Sequence, residues 1–274
     1  MSTLDEIMPI SVRVWWTVAG FLALLGLWLG VSHSGLIEAR MLPGPETVAS
    51  TILRLMHESF AGSTLQEHLV SSLGRYLLGF GLAVLIGIPL GLMMGWFEWL
   101  DDLVTPFFEM LRFIAPISWV PFAVLWFGTG IGGPLLIIFS GAFPPCLINA
   151  YRGAKMVDKR LIEAVRTLGA SNYRVIKDVL LPGSLPSIVT GVRLSAGIGW
   201  QSLIGAELIV VSSGIGYLMV QGQANFATDI VMAGMITIGC IGLLIDFSLR
   251  VIEQSISRKW SQGGGASNER DRVS

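Results

Sequence analysis

The sequence predicts an all-α membrane protein with six transmembrane helices. Three observations carry that prediction. Only 14% of the 274 residues are charged while 53% are hydrophobic, whereas about a quarter of a soluble domain is charged. The apolar residues gather in runs of about 20, enough to cross the hydrocarbon of a bilayer. The basic residues gather in a few connectors. A net charge of −1 at pH 7 points to no partner by electrostatics, nucleic acid included.

The spans fall at about 12–31, 71–96, 104–127, 133–151, 187–211 and 229–251. The first, VWWTVAGFLALLGLWLGV, follows Arg13 and is too long for a secretory leader. No convincing small-x-small cleavage site follows it, so it is expected to be retained. Lysine and arginine are held on the cytoplasmic side and fix the orientation. The connector 152–182 carries Arg152, Lys155, Lys159, Arg160, Arg166, Arg174 and Lys177, and the tail carries Arg250, Arg258, Lys259, Arg270 and Arg272. Both are expected to be cytoplasmic, and six spans then place the N-terminus (1–11) there too. The opposite side receives 32–70, 128–132 and 212–228, which hold only Arg40 and Arg54.

In the 32–70 segment, MLPGPET gives a proline-fixed start to a short amphipathic helix with Ala49, Ile52, Leu53, Met56 and Phe60 on one face. That helix would lie on the membrane or on neighbouring spans. His33, His57 and His68 all fall in this connector and are expected to be solvent-exposed. The segment 212–228 carries Tyr217, Gln221 and Asn225 at four-residue spacing, which suits a short helix or a re-entrant loop. The tail 261–274 is glycine-rich and polar and is expected to be disordered.

In the second span Gly79, Ala83, Gly87, Gly91 and Gly95 recur every four residues, a stripe that lets another helix approach almost backbone to backbone. The third span holds Pro106, Pro116 and Pro121, each removing a backbone donor. Glu109 and Arg112, three apart on it, can neutralise one another, as a structural ion pair or as part of a pathway or gate. Glu207 is a carboxylate in an apolar run near the outer end of span five. Snorkelling to water would relieve its cost, and a structural or gate-stabilising role fits it better than contact with an anion. Asn149 and Asp246 lie near cytoplasmic ends and are expected to be solvated. Cys146 and Cys240 read as small buried hydrophobes, and no metal site is expected.

The connector between spans four and five is unlike its surroundings. From Asp158 to Leu168, the residues Leu161, Ile162, Val165 and Leu168 form an apolar face, with Lys159, Arg160, Glu163 and Arg166 on another. Gly169 supplies a left-handed stop, Ser171 or Asn172 caps a second helix, and Pro182 ends it. The pattern fits a helix lying on headgroups and one docking to a soluble partner equally well.

These residues resemble a known family. Glu163-Ala164-Val165, then Gly169, then Val179-Leu180-Leu181-Pro182 is similar to the EAA loop of ATP-binding-cassette importer permeases, with valine for the usual alanine and isoleucine. The likeness extends over LPGP near 42, SSLGRYLLGF, LRFIAPISWVPFAVLWFG, LGAS, LPGSLPSIVTGVRLSAGIGW and GAELI. Together these resemble the subfamily serving taurine, alkanesulfonate, nitrate, bicarbonate, cyanate and related small anions, although Phe113 and Ala115 stand where proline is common.

The resemblance implies the six-span type I importer permease fold over 12–260, as a multi-pass homodimer in a bacterial inner membrane. It implies as partners two cytoplasmic ATPases and a periplasmic or extracellular substrate-binding protein. Leu161, Glu163, Ala164, Val165, Leu168, Gly169, Ala170, Ser171 and Pro182 would couple to the ATPase, and ATP and magnesium would sit on that partner. The chain itself lacks the glycine-rich loop ending in Gly-Lys-Ser/Thr, so hydrolysis is not expected of it. For an anion path, span five offers Ser195, Trp200, Gln201 and Ser202 among Gly191, Gly197, Gly199 and Gly205, which would pack closely at a dimer axis. The same residues serve equally as helix-packing glue. Sulfonates are the first expectation for the substrate, on resemblance alone.

Other classes fare worse. A membrane-embedded hydrolase needs a nucleophile and base within reach, and no histidine falls inside an expected span. An ion-coupled carrier should display inverted repeats and midplane charges and has no use for an EAA insert.

Overall fold

The computed structural model describes residues 10–265 except Ala39 and Thr129, with side chains described over 15–255. The expectations for residues 1–9 and 266–274 lie outside this range. The described chain is helical: α1 (Ile10–His33), α2 (Pro45–His57), α3 (Leu65–Trp96), α4 (Glu98–Leu111), a 3-10 turn (Pro116–Trp119), α5 (Val120–Phe127), α6 (Gly132–Lys155), α7 (Lys159–Thr167), α8 (Asn172–Val175), a π turn (Ile176–Leu180), α9 (Leu181–Glu207), α10 (Ile215–Ala224) and α11 (Thr228–Gly265). Among the described residues five stretches are long and apolar enough to cross a membrane, or six if a bent pair is counted as one span. α11 runs to Gly265.

That bent pair corrects the expected third span. Glu98–Leu111 and Pro116–Phe127 meet at 90°, so 104–127 is not one straight helix. Proline disfavours helical backbone in the residue before it, and Ala115 is accordingly extended, at φ −58° and ψ 140°. Pro106 lies inside α4, whereas Pro121 sits in the first turn of α5, where a missing N–H costs nothing.

The chain divides into two compact units. One comprises Met1–Leu65 with Leu218–Ile236. Its core joins Val48, Leu55, Leu65, Leu218, Ile230 and Ala233. The fully buried residues of α2 are Val48, Thr51 and Leu55; of the expected face, Ile52 and Phe60 pack against this core as well, whereas Leu53 is 62% exposed. A polar anchor turns the helix: the Thr51 hydroxyl donates to the Asp229 carboxylate at 2.8 Å, and Arg54 reaches the same oxygen at 3.3 Å.

The second unit comprises Gln66–Tyr217 with Thr237–Ser274. Its helix directions follow from its neighbours. The glycine stripe of α3 lies on α6 with numbers rising together: Gly79 faces Ile138, Gly87 faces Cys146, Gly91 faces Leu147 and Ala150, and Gly95 faces Ala154. Ala83, also on the stripe, is fully buried. α3 and α6 therefore run parallel. α9 runs against α6, with Ser184 beside Gly153, Gly191 beside Asn149, and Gly199 beside Ala142. α11 in turn runs against α9, since Trp200 donates to the Ile238 carbonyl at 3.2 Å and Arg193 meets Asp246 at 2.8 Å. Gly191 and Gly199 pack against α6 within the subunit, while a Cβ at Gly197 would meet nothing within 4 Å.

Candidate functional site

The connector between α6 and α9 folds as the sequence dictates. Asp158, with extended backbone, accepts from the Arg160 amide at 2.9 Å and caps α7, a contribution of about 1 kcal/mol. A nine-residue helix is too short to persist on propensity alone, so its ends matter. At the other end the Gly169 amide bonds the Arg166 carbonyl at 2.9 Å and the Ala170 amide bonds the Val165 carbonyl at 3.2 Å. This paired closure needs a left-handed residue, and Gly169 has φ +83°.

α7 has no buried residue. Ile162 packs beside the Ala154, Val157 and Leu180 cluster, and the Arg166 guanidinium lies 5.5 Å from the Trp96 ring centroid. Leu161 remains 56% and Leu168 86% exposed. Glu163 and Ala164 are also exposed, and Val165 is half-buried. Glu163 lines a cleft of about 480 Å³ with Lys155, Lys159 and Arg166.

Beyond Ala170, Ser171 takes the N-cap position with extended backbone but makes no side-chain cap bond. Pro182 does not end the second helix, as was expected. α8, the π turn and α9 form one helical run from Asn172 to Glu207. The Leu181 amide bonds the Ile176 carbonyl, five residues back. This wider turn directly precedes Pro182 and relieves the crowding that proline imposes on the preceding turn.

At the far end of α9, Glu207 is fully buried, so the expected snorkelling does not occur. Its carboxylate accepts from Ser72 at 2.7 Å, from Arg75 at 2.9 Å and from the Gly216 amide at 3.0 Å. Arg75 also donates to the Ser213 carbonyl at 3.0 Å and to the Ser213 hydroxyl. Ser72 accepts from the Ile215 amide, and His68 from the Gly214 amide, both at 3.0 Å. His68 is therefore buried and bonded, not solvent-exposed. Gly214 adopts φ +108°, and a Cβ there would collide with the Glu207 carboxylate. The network ties residues 213–216 to both α3 and α9.

Arg75, Ser72 and Ser213 were not singled out from the sequence, and His68 was expected to be solvent-exposed. The available signal was Glu207 itself: a buried carboxylate requires a counter-charge, and Arg75 is a cation within an expected span.

The expected path residues are placed differently from one another. Ser195 is buried and donates to the Ala142 carbonyl at 2.7 Å, and Ser202 donates to the Ile198 carbonyl at 2.8 Å. Trp200 is 5% exposed, its indole turned to α11. Ser195 and Ser202 lie where α9 packs on α6, while Trp200 borders the small pocket that Gln201 also lines. Gln201 is exposed. It lines a small pocket with Arg193, whose guanidinium is held by Asp246 and by Glu253 at 3.0 Å. Asp246 is thus ion-paired, and Asn149 donates to the Pro145 carbonyl at 2.8 Å. Glu109 and Arg112 form the expected ion pair, at 2.6 Å. Cys146 is buried as expected, whereas Cys240 is exposed. No cluster that could hold a metal ion occurs among the described residues.

The chain has relatives among known proteins. Residues 87–261 match the family model described as "Binding-protein-dependent transport system inner membrane component". The taurine transport system permease protein of Escherichia coli is 37% identical over 91% of each chain. A protein of Bacillus subtilis named for aliphatic sulfonate transport is 34% identical over 86% of this chain and 84% of its own. The bicarbonate transport system permease protein of Synechococcus elongatus is 33% identical over 88% of each. Among solved structures, an inward-facing form of the MetNI methionine ABC transporter aligns with TM-score 0.60 at 20% identity, over 70% of this chain and 95% of that one. This last likeness concerns the fold alone. With a family model spanning more than half of it and relatives above 30% identity over most of its length, the chain belongs to the inner membrane permease components of binding-protein-dependent transport systems.

Proposed function

We propose that this chain is the membrane-spanning subunit through which a cytoplasmic ABC ATPase drives import of a small anion, with sulfonates of the taurine type as first choice. The observation that carries the reading is the shape of the α6–α9 connector. α7 projects with Leu161 and Leu168 uncovered and Glu163 beside them, and the helical run that follows reaches without interruption to Glu207. An ATPase groove offering apolar side chains and a cation would cover that face. Movement of α7 would pass along α9 as a rigid-body displacement.

In this reading two copies of the chain pair with two ATPases, which carry the ATP and magnesium, and the chain performs no catalysis. The basic end of the bundle faces the cytoplasm, with both termini, and a substrate-binding protein delivers substrate on the opposite side of a bacterial inner membrane. The relatives named for taurine and aliphatic sulfonates favour a sulfonate. The bicarbonate relative keeps a smaller anion as the second choice. The Glu207 network would hold the outer end of α9 to α3 and stabilise the outer gate. Glu207→Gln is then expected to change the transport rate or the basal ATPase rate, and no change in either would remove the gate role.

The test is uptake of labelled taurine by proteoliposomes containing the chain, its ATPase and its binding protein. Uptake should require ATP and vanish in Gly169→Pro, with the variant still present in the membrane at normal level. Uptake without ATP, or at the normal rate in the variant, would refute the proposal.

A further inference from the structure

Where α4 ends and the chain bends by 90° toward α5, a cavity of about 190 Å³ opens against α6. Phe108, Trp119, Phe139 and Phe143 wall it, and its polar groups come from Arg112 and Ser140. Phe143 occupies the middle of the 24-residue α6. At about 1.5 Å per residue that helix is long enough to span the hydrocarbon, so the cavity lies near mid-membrane. An arginine at that depth is costly and marks function more often than architecture.

Glu109 does not exhaust this arginine. Its Oε2 takes the Nε and one terminal nitrogen of the guanidinium, each at 2.6 Å, while a guanidinium carries five donors in a planar fork. The Phe113 ring stacks on the guanidinium, 4.6 Å from its carbon, an arrangement that leaves in-plane bonding edges open. Ser140 now donates to the Ile137 carbonyl at 2.8 Å, and its hydroxyl can rotate toward an anion. The aromatic wall, in contrast, gives a bare inorganic anion nothing.

We propose that this cavity is a substrate subsite for a small organic anion with an apolar body, the sulfonate head on Arg112 and Ser140 and the alkyl part against the aromatic wall. The inference rests on the importer reading and narrows it toward alkanesulfonates and away from bicarbonate. The size is apt. An engineered apolar cavity of about 150 Å³ accepts benzene, so 190 Å³ suits a short alkyl chain. Each methylene that enters should strengthen binding about fourfold until the space is filled.

The test is titration of the complex of this chain with its ATPase, in nanodiscs of zwitterionic lipid and without binding protein. The probes are methanesulfonate, butanesulfonate, hexanesulfonate and bicarbonate. Zwitterionic lipid removes anionic headgroups as competitors for Arg112. Affinity should rise with chain length, and Arg112→Gln should weaken every sulfonate at least tenfold. Phe143→Ala should flatten the dependence on chain length while sparing methanesulfonate, which keeps the proposal testable if Arg112→Gln fails to assemble. Bicarbonate binding as tightly as butanesulfonate, or undiminished binding by Arg112→Gln, would overturn the subsite. A complex that hydrolyses ATP yet binds no sulfonate would also overturn it and leave the importer reading intact. A chain that recruits no ATPase but still binds sulfonates in this order would retain the subsite and overturn the importer reading.

Discussion

Two residues carry most of the argument at their own scale. Glu207 is fully buried and owes its tolerance to Arg75, Ser72 and the Gly216 amide. Removing one member of a buried pair leaves an uncompensated charge, at a cost of about 3–5 kcal/mol. Arg75→Met is therefore expected to lower the thermal unfolding midpoint of the solubilised protein sharply. The double variant Arg75→Met/Glu207→Gln should recover most of the loss, because the glutamine oxygen can still accept from Ser72 or Gly216. Equal loss in both would show that the charge pair is not what the network depends on. Gly169 is the second such residue. Its φ of +83° costs a residue with a Cβ about 1–2 kcal/mol, and nothing crowds the position. Gly169→Val is expected to weaken ATPase association by altering the α7 stop, without displacing the chain from the membrane. Normal association would mean that the turn tolerates another geometry.

At the scale of elements, the α3 stripe makes a graded prediction. A Cβ at Gly91 would run into the Leu147 carbonyl and Ala150, whereas Gly74 on the same helix meets nothing within 4 Å. Gly91→Leu should cost roughly 1–3 kcal/mol by overpacking, and Gly74→Leu should be silent, both read from unfolding of the solubilised protein. Matching effects would contradict the α3–α6 register. The stripe was legible in the sequence because small residues every four positions have few other uses in a membrane helix. The α7 stop was legible because Gly169 follows an amphipathic turn. The break at Ala115 was not, since hydropathy runs smoothly through it and only Pro116 carried the signal. Nor was the π turn before Pro182, because a proline early in a helix and a proline after one look alike in sequence. The facing of α2 escaped in part for a related reason: Thr51 faces inward to reach Asp229, 178 residues away, although Ile52 and Phe60 of the expected face do pack on the core.

At the scale of the whole molecule, composition and hydropathy were enough for the class of fold, and the basic connector for an expected orientation. The parallel and antiparallel registers of α3, α6, α9 and α11 are those of a chain that alternates direction. What escaped were the sites where distant polar groups meet. His68 read as solvated and lies buried. Nor did the sequence show that the Ser195 hydroxyl donates to the Ala142 carbonyl of α6 while that of Ser202 donates within its own helix, because periodicity places a hydroxyl on a helix but does not say which acceptor receives it. The central claim concerns the uncovered α7. Its most direct test is co-purification of this chain, in detergent, with an ABC ATPase co-expressed from the same organism, comparing the native sequence with Glu163→Lys. The account predicts a stable complex for the native chain and its loss in the variant, with both chains equally abundant in the membrane. A native chain that binds no ATPase, or a variant that binds it as well as the native chain, would contradict the account.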